Sequence, residues 1–117
     1  MSPRGQKPIR WLGSSFRDIG KLPVEAREEI GIQLLRVQKG IQPLDWKPMT
    51  TIGVGVKEIR IRNRSNIFRV FYLAKYSDLV YVLHVFKKKS QQTNIRDIHI
   101  AKRRFKSIAT ERRQGVF

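Results

Sequence analysis

Apolar positions along this chain follow two rhythms. Ala26, Ile30, Leu34 and Val37 recur at spacings of four, four and three, the single stripe of an amphipathic helix. Past residue 53 the rhythm shortens to alternation in three runs, 54–62, 68–75 and 79–86, which predict strands. The longer rhythm then returns in Ile98, Ala101, Phe105 and Ile108, predicting a last helix whose apolar side docks on the sheet. Lys102, Arg103 and Lys106 fall on its wet side.

The punctuation between the runs agrees. Residues 9–12 predict a short first strand after Pro8, and Ser14 and Ser15 are caps for a short helix ending near Gly20. Pro23 suits a first helical turn, Glu25, Glu28 and Glu29 sit near the positive end of that helix, and Lys39-Gly40 stops it. Pro43 and Pro48 argue for a connector over 41–53, pinned by Trp46 and Met49, with Gly53 and Gly55 permitting an unusual backbone before the next strand. Asn63-Arg64-Ser65-Asn66 and Tyr76-Ser77-Asp78 are turn sequences short enough to make the three strands an antiparallel meander. Thr93 or Asn94 caps the last helix, with Asp97 in its first turn. The predicted order is (β)ααβββα. This is an α+β domain with an N-terminal helical hairpin, a small, mostly antiparallel sheet and a C-terminal helix, the helices lying against one sheet face. Residues 1–8 read as a loose basic arm, 9–109 as the single domain and 110–117 as a basic tail.

Composition narrows the function classes. The chain has 117 residues, enough for one modest core, and no cysteine, which excludes disulfides and thiolate metal sites. Two histidines without metal-ligand spacing give no reason to expect a metal or other cofactor. No apolar run approaches a membrane span and no signal core opens the chain, so a soluble cytoplasmic protein is expected. The formal net charge is +16, and residues 87–117 hold ten of the 25 basic residues but two of the nine acidic ones. A field of that sign attracts polyanions, and nucleic acid is the expected partner.

The candidate chemistry lies on the strands. Alternation places Glu58, Arg60 and Arg62 on one face and Ile59 and Ile61 on the core side. Glu58 is expected to orient Arg60 by an ion pair. Arg69 shares a face with Phe71 and Leu73, and His84 with Val82 and Phe86, opposite Tyr81, Leu83 and Val85. In the right register Arg60, Arg69 and His84 converge. The last strand ends in Lys87-Lys88-Lys89-Ser90, a set of cations and a hydroxyl suited to an anion. Lys57 and Arg62 are further phosphate contacts. Such a group suits metal-free RNA cleavage by the 2′-hydroxyl: arginine binds the phosphate in a fork, lysine stabilises charge or moves a proton, and histidine acts as acid or base. The bland readings are a hydrogen-bonded structural His84, core roles for Phe71 and Phe86, and a solvated helix face at Lys102-Arg103-Arg104.

These residues resemble, in order and spacing, the HigB-like, phage-derived branch of the RelE/ParE toxin superfamily of type II toxin–antitoxin systems. The resemblance rests on Ser15-Phe16-Arg17-Asp18-Ile19, Leu22-Pro23, Gln38-Lys39-Gly40, Lys47-Pro48, Gly55-Val56-Lys57-Glu58-Ile59-Arg60, Phe68-Arg69-Val70-Phe71-Tyr72 and the run from Tyr81 to Ser90. It implies a RelE-like fold, a ribosome-dependent mRNA endonuclease without metal, and partners in the ribosome, mRNA and a helix-turn-helix antitoxin. By position, Arg60 and Arg69 match the strand arginines, Glu58 their acidic companion, Lys88 and Lys89 the paired lysines, and Ser90 and Thr93 the small hydroxyls that follow. The chain departs from the pattern at Lys87, where an uncharged residue is common, and at Asn94-Ile95, where a proline is usual; it also lacks the C-terminal tyrosine of several RelE-type ribosome-dependent nucleases of better-known branches, since no tyrosine follows Tyr81. Toxins that poison DNA gyrase share the fold, and a non-enzymatic RNA-binding or phage-derived module remains an alternative.

Overall fold

The computed structural model describes residues 5–88 and 94–115. Along the chain run β1 (Ile9–Trp11), α1 (Ser15–Ile19), α2 (Val24–Gln38), β2 (Trp46–Pro48), β3 (Val56–Asn63), β4 (Asn66–Leu73), β5 (Val80–Lys88) and α3 (Ile95–Gln114). The fold is α+β, with a five-stranded mixed sheet ordered β1-β5-β4-β3-β2. β1 lies parallel to β5, and every other neighbour is antiparallel.

Two cores flank the sheet. On one face the α2 stripe of Ala26, Ile30, Leu34 and Val37 packs on Ile59, Ile61, Phe68, Val70, Val82 and Val85. On the other, Ala101 and Ile108 of α3 pack with Val56, Phe71, Leu73, Tyr81 and Leu83. The helices therefore cover both faces, where one covered face was expected. The strands are apolar on both sides for that reason: Leu73, Val80, Tyr81, Val82 and Leu83 are all fully buried.

The connector holds an unexpected strand. β2 pairs Trp46, Lys47 and Pro48 with Ile59, Glu58 and Lys57 at the sheet edge, where proline is tolerated. Described residues near both chain ends are tied down. Lys7 donates from Nζ to the carbonyls of Ala74 and Tyr76, so it is no part of a loose arm. α3 runs on to Gln114, where a separate tail from residue 110 was expected, and Arg112 fastens its last turn to Asp78 and the Tyr81 hydroxyl. Asn94 caps α3 by accepting from the Arg96 backbone N–H, while Thr93 lies outside the described residues.

A bulge in β5 decides what faces where. Phe71 pairs with His84 but Tyr72 pairs with Val82, so the register shifts by one at Leu83. Strict alternation would put His84 with Val82, opposite Tyr81 and Leu83. The inserted residue reverses this: Tyr81 and Leu83 lie in the α3-side core, and His84, Phe86 and Lys88 follow on that same side, opposite Phe71, Arg69 and Ile67. Val82 lies with Val85 on the α2 side. The Leu83 carbonyl accepts from Nη1 of Arg104 at 2.9 Å. Arg104 is half-buried and also donates to Ser14, and burial lowers its pKa. It is a tie between α3 and the bulge, not part of a solvated face.

Candidate nucleic-acid interface

Beyond the first turn of α3 the sheet continues in two cross-strand rows. One is Arg60, Arg69 and Phe86; the next is Arg62, Ile67 and Lys88. Both lie on the α3 side, next to the row of Glu58, Phe71 and His84. β2 adds Lys47, which pairs directly with Glu58. The register brings Arg60 and Arg69 onto one face, the bulge rather than alternation adds His84 to it, and β2 adds Lys47, which strand reasoning missed because the connector hid β2.

The ion pairs differ from those expected. Glu58 does not orient Arg60. Nη1 of Arg69 donates to both oxygens of Glu58 at 2.8 and 2.7 Å, diagonally across the strands, and both side chains are buried. Arg60 instead donates from Nε and Nη2 to Asp45, at 3.0 and 2.8 Å. The backbone explains this division. β2 begins at Trp46, and Arg60 donates its N–H to the carbonyl of the preceding Asp45, which sets the Asp45 side chain level with Arg60. Arg60 keeps a third of its side chain exposed, whereas Arg69 and Glu58 form a closed pair beneath the surface.

Lys88 is the cation most shaped by this setting. It is half-exposed at the end of β5, and its pKa is lowered, first by desolvation and then by the positive charges of Arg69, Lys47 and Arg60, with Glu58 opposing. Arg62 is exposed on the same face. Lys57 is not in this group. It belongs to the α2 side, where its Nζ stands 4.7 Å over the Trp46 ring. Lys87 pairs with Phe68, a residue of the α2-side core, and is exposed. Lys89 and Ser90 lie outside the described residues.

His84 is buried. Its Nε2 sits 2.7 Å from Asp97 Oδ1, and its ring stacks on Phe86 at 5.0 Å. Its buried Nδ1 has no hydrogen-bond partner among the described residues. Desolvation lowers its pKa against the opposing pull of Asp97, which favours a neutral ring donating from Nε2. This histidine pins the first turn of α3 to β5. Phe71 is fully buried in the core, and Phe86, half-buried, tilts against it at 5.1 Å. Next to these rings opens a cleft of about 380 Å³ lined in part by Asp18, Phe86, Lys88, Asn94 and Arg104.

A basic face of this kind, built on a sheet between α2 and α3, coincides with the span of a known family. The family model described as Phage derived protein Gp49-like (DUF891) matches residues 17–106. The chain belongs to the Gp49-like family. The match takes in every residue of the basic face: Lys47, Glu58, Arg60, Arg62, Arg69 and Lys88. No curated protein matches the chain. Among the described residues of this Gp49-like protein no helix is long and apolar enough to cross a membrane.

Proposed function

We propose that this Gp49-like protein is the toxin of a type II toxin–antitoxin pair, HigB-like in kind, which cuts messenger RNA on the translating ribosome. The observation that carries the reading is Lys88, an accessible amine with a depressed pKa set among Lys47, Arg60 and Arg69. The resemblance at Glu58, Arg60, Arg69 and Lys88 and the membership in a phage-derived family support it.

In the proposed reaction, Lys47, Arg60 and Arg62 hold the phosphodiester through its non-bridging oxygens, where charge grows in the transition state. Lys88 in its neutral form takes the proton of the 2′-hydroxyl, and its lowered pKa makes that form more accessible. The 2′-oxygen bonds to phosphorus, the bond to the 5′-oxygen breaks, and the leaving oxygen takes a proton from solvent. The products are a 2′,3′-cyclic phosphate and a 5′-hydroxyl. The buried Arg69–Glu58 pair acts by position, fixing the floor on which Lys88 stands. His84 serves the same floor through Asp97, without moving a proton in the reaction. The partners in this reading are the ribosome, its mRNA and an antitoxin of helix-turn-helix type that silences the toxin. No metal or cofactor takes part.

Induced expression with mapping of transcript 5′ ends tests the reading. New ends within translated regions are expected. Growth arrest with intact transcripts overturns it, and inhibited DNA supercoiling in that case would transfer the activity to gyrase.

A further inference from the structure

α3 has two opposite faces. Ala101, Phe105 and Ile108 turn to the sheet, and Asp97, Arg104, Glu111 and Arg112 are engaged with β1, β5 or the loops beside them. The outer face carries Arg96, His99, Lys102, Arg103, Lys106 and Arg113, all exposed. Arg96, His99, Arg103, Lys106 and Arg113 fall at steps of three, four, three and seven residues, which at about 3.6 residues per turn keeps them within one stripe about 100° wide. From Arg96 to Arg113 the line is about 26 Å long at about 1.5 Å per residue.

Two features set this line apart from an ordinary solvated helix face. First, it lacks carboxylates. The acidic residues of α3, Asp97 and Glu111, point inward to His84 and Arg10, and none of the five outer Lys and Arg residues forms an ion pair among the described residues. The exposed surface of α2 mixes signs instead, with Glu25 and Glu28 next to Arg27. Second, Lys102 with Lys106 and Arg103 with Lys106 are like-charged neighbours at helical spacing, which weakens a helix. A polyanion laid along the line removes that repulsion.

We propose that the outer face of α3 is a second nucleic-acid contact, one that lies along the phosphate backbone of an RNA double helix. A rigid stripe of basic side chains on one helix fits a regular duplex better than a flexible single strand, whose phosphates have no fixed spacing. Contacts of this type position a protein without reading sequence. Arg96 stands both at the head of the row and at the cleft beside Lys88, so the row leads from the basic sheet face. The choice of RNA over DNA rests on the function proposed above; the charge complementarity does not.

The test is fluorescence-anisotropy binding of the full chain to a 20-base-pair RNA duplex, the matching DNA duplex and a single-stranded RNA, over a range of salt. The variant replaces Arg96, Arg103, Lys106 and Arg113 with glutamine. Duplex affinity is expected to fall at least tenfold. The slope of log affinity against log salt is expected to flatten by about 3 to 4, at about 0.9 for each phosphate that the variant no longer neutralises. The loss for single-stranded RNA is expected to be smaller. Preference for the RNA duplex supports the full proposal, and equal binding of both duplexes supports the surface as a reader of phosphates alone. Unchanged duplex binding and slope, or an equal loss on single strands, overturns it. Because binding is read without cleavage, the result stands whether or not the protein cuts RNA.

Discussion

Glu58 and Arg69 are partners across β3 and β4, joined by two hydrogen bonds from one guanidinium nitrogen and sealed from solvent. Arg69 was the natural choice for a phosphate ligand in the strand pattern. Its burial with a carboxylate makes it part of the foundation of the site instead. Mutagenesis of this protein has to respect the difference, because replacing Arg69 tests folding together with function.

Breaking that pair is expected to be costly. Glu58→Gln takes the countercharge from a buried guanidinium and should lower stability by about 3–5 kcal/mol. Replacing both members, with Glu58→Leu and Arg69→Met, should cost clearly less than the two single changes together, since neither buried charge then remains. Urea unfolding of the single and double variants checks this. Additive losses would contradict the pairing.

Lys88 is expected to titrate below the ordinary lysine value of 10.5, through desolvation first and the neighbouring cations second. A side-chain NMR titration reads this directly. Lys47→Met removes one of those cations and should raise the Lys88 pKa toward the ordinary value. A Lys88 that titrates at or above the ordinary value, or that does not respond to Lys47→Met, would contradict the described cluster.

The strand and helix pattern carried most of the fold, and particular residues explain where it stopped. The α2 stripe is regular because one face of that helix meets one core, and Ala26, Ile30, Leu34 and Val37 are all buried. Alternation gave Arg60 and Arg69 their places within their own strands, but their shared face depends on the register, which the two-residue turn at Arg64 and Ser65 sets in the structure. β2 was not legible, since Pro43 and Pro48 mask a strand of only three residues at the sheet edge. Nor was the bulge at Leu83, which leaves no mark in an apolar run and yet decides the face of His84. Partner choice was hidden for a related reason. Glu58 lies two residues from Arg60 in sequence, but cross-strand geometry gave it to Arg69, and the edge of β2 gave Asp45 to Arg60.

His84 makes stability depend on pH in a defined direction. Its pKa in the folded protein is below the ordinary 6.5, so the unfolded chain takes up a proton first as pH falls. This residue therefore costs nothing well above pH 6.5. It weakens the fold progressively as pH drops through 6.5 toward the folded value, with Asp97 opposing and Arg104 adding to the shift. Urea unfolding at pH 7 and pH 5 should show a larger loss for the wild type than for His84→Gln, which keeps a donor for Asp97. Parallel losses would show that His84 titrates alike in both states.

The basic sheet face as a site of RNA cleavage is tested most directly with purified protein on ribosomes translating a defined message. The 5′ ends of the message are mapped after exposure to the wild type and to a variant with Arg60→Gln and Lys88→Gln, two residues that are at least partly exposed and whose loss leaves the Glu58–Arg69 pair intact. The account predicts new 5′-hydroxyl ends with the wild type and a loss of at least about 100-fold in their rate of appearance with the variant, within the range that one positioned acid–base group supplies. A message left intact by the wild type, or cut equally well by the folded variant, would contradict it.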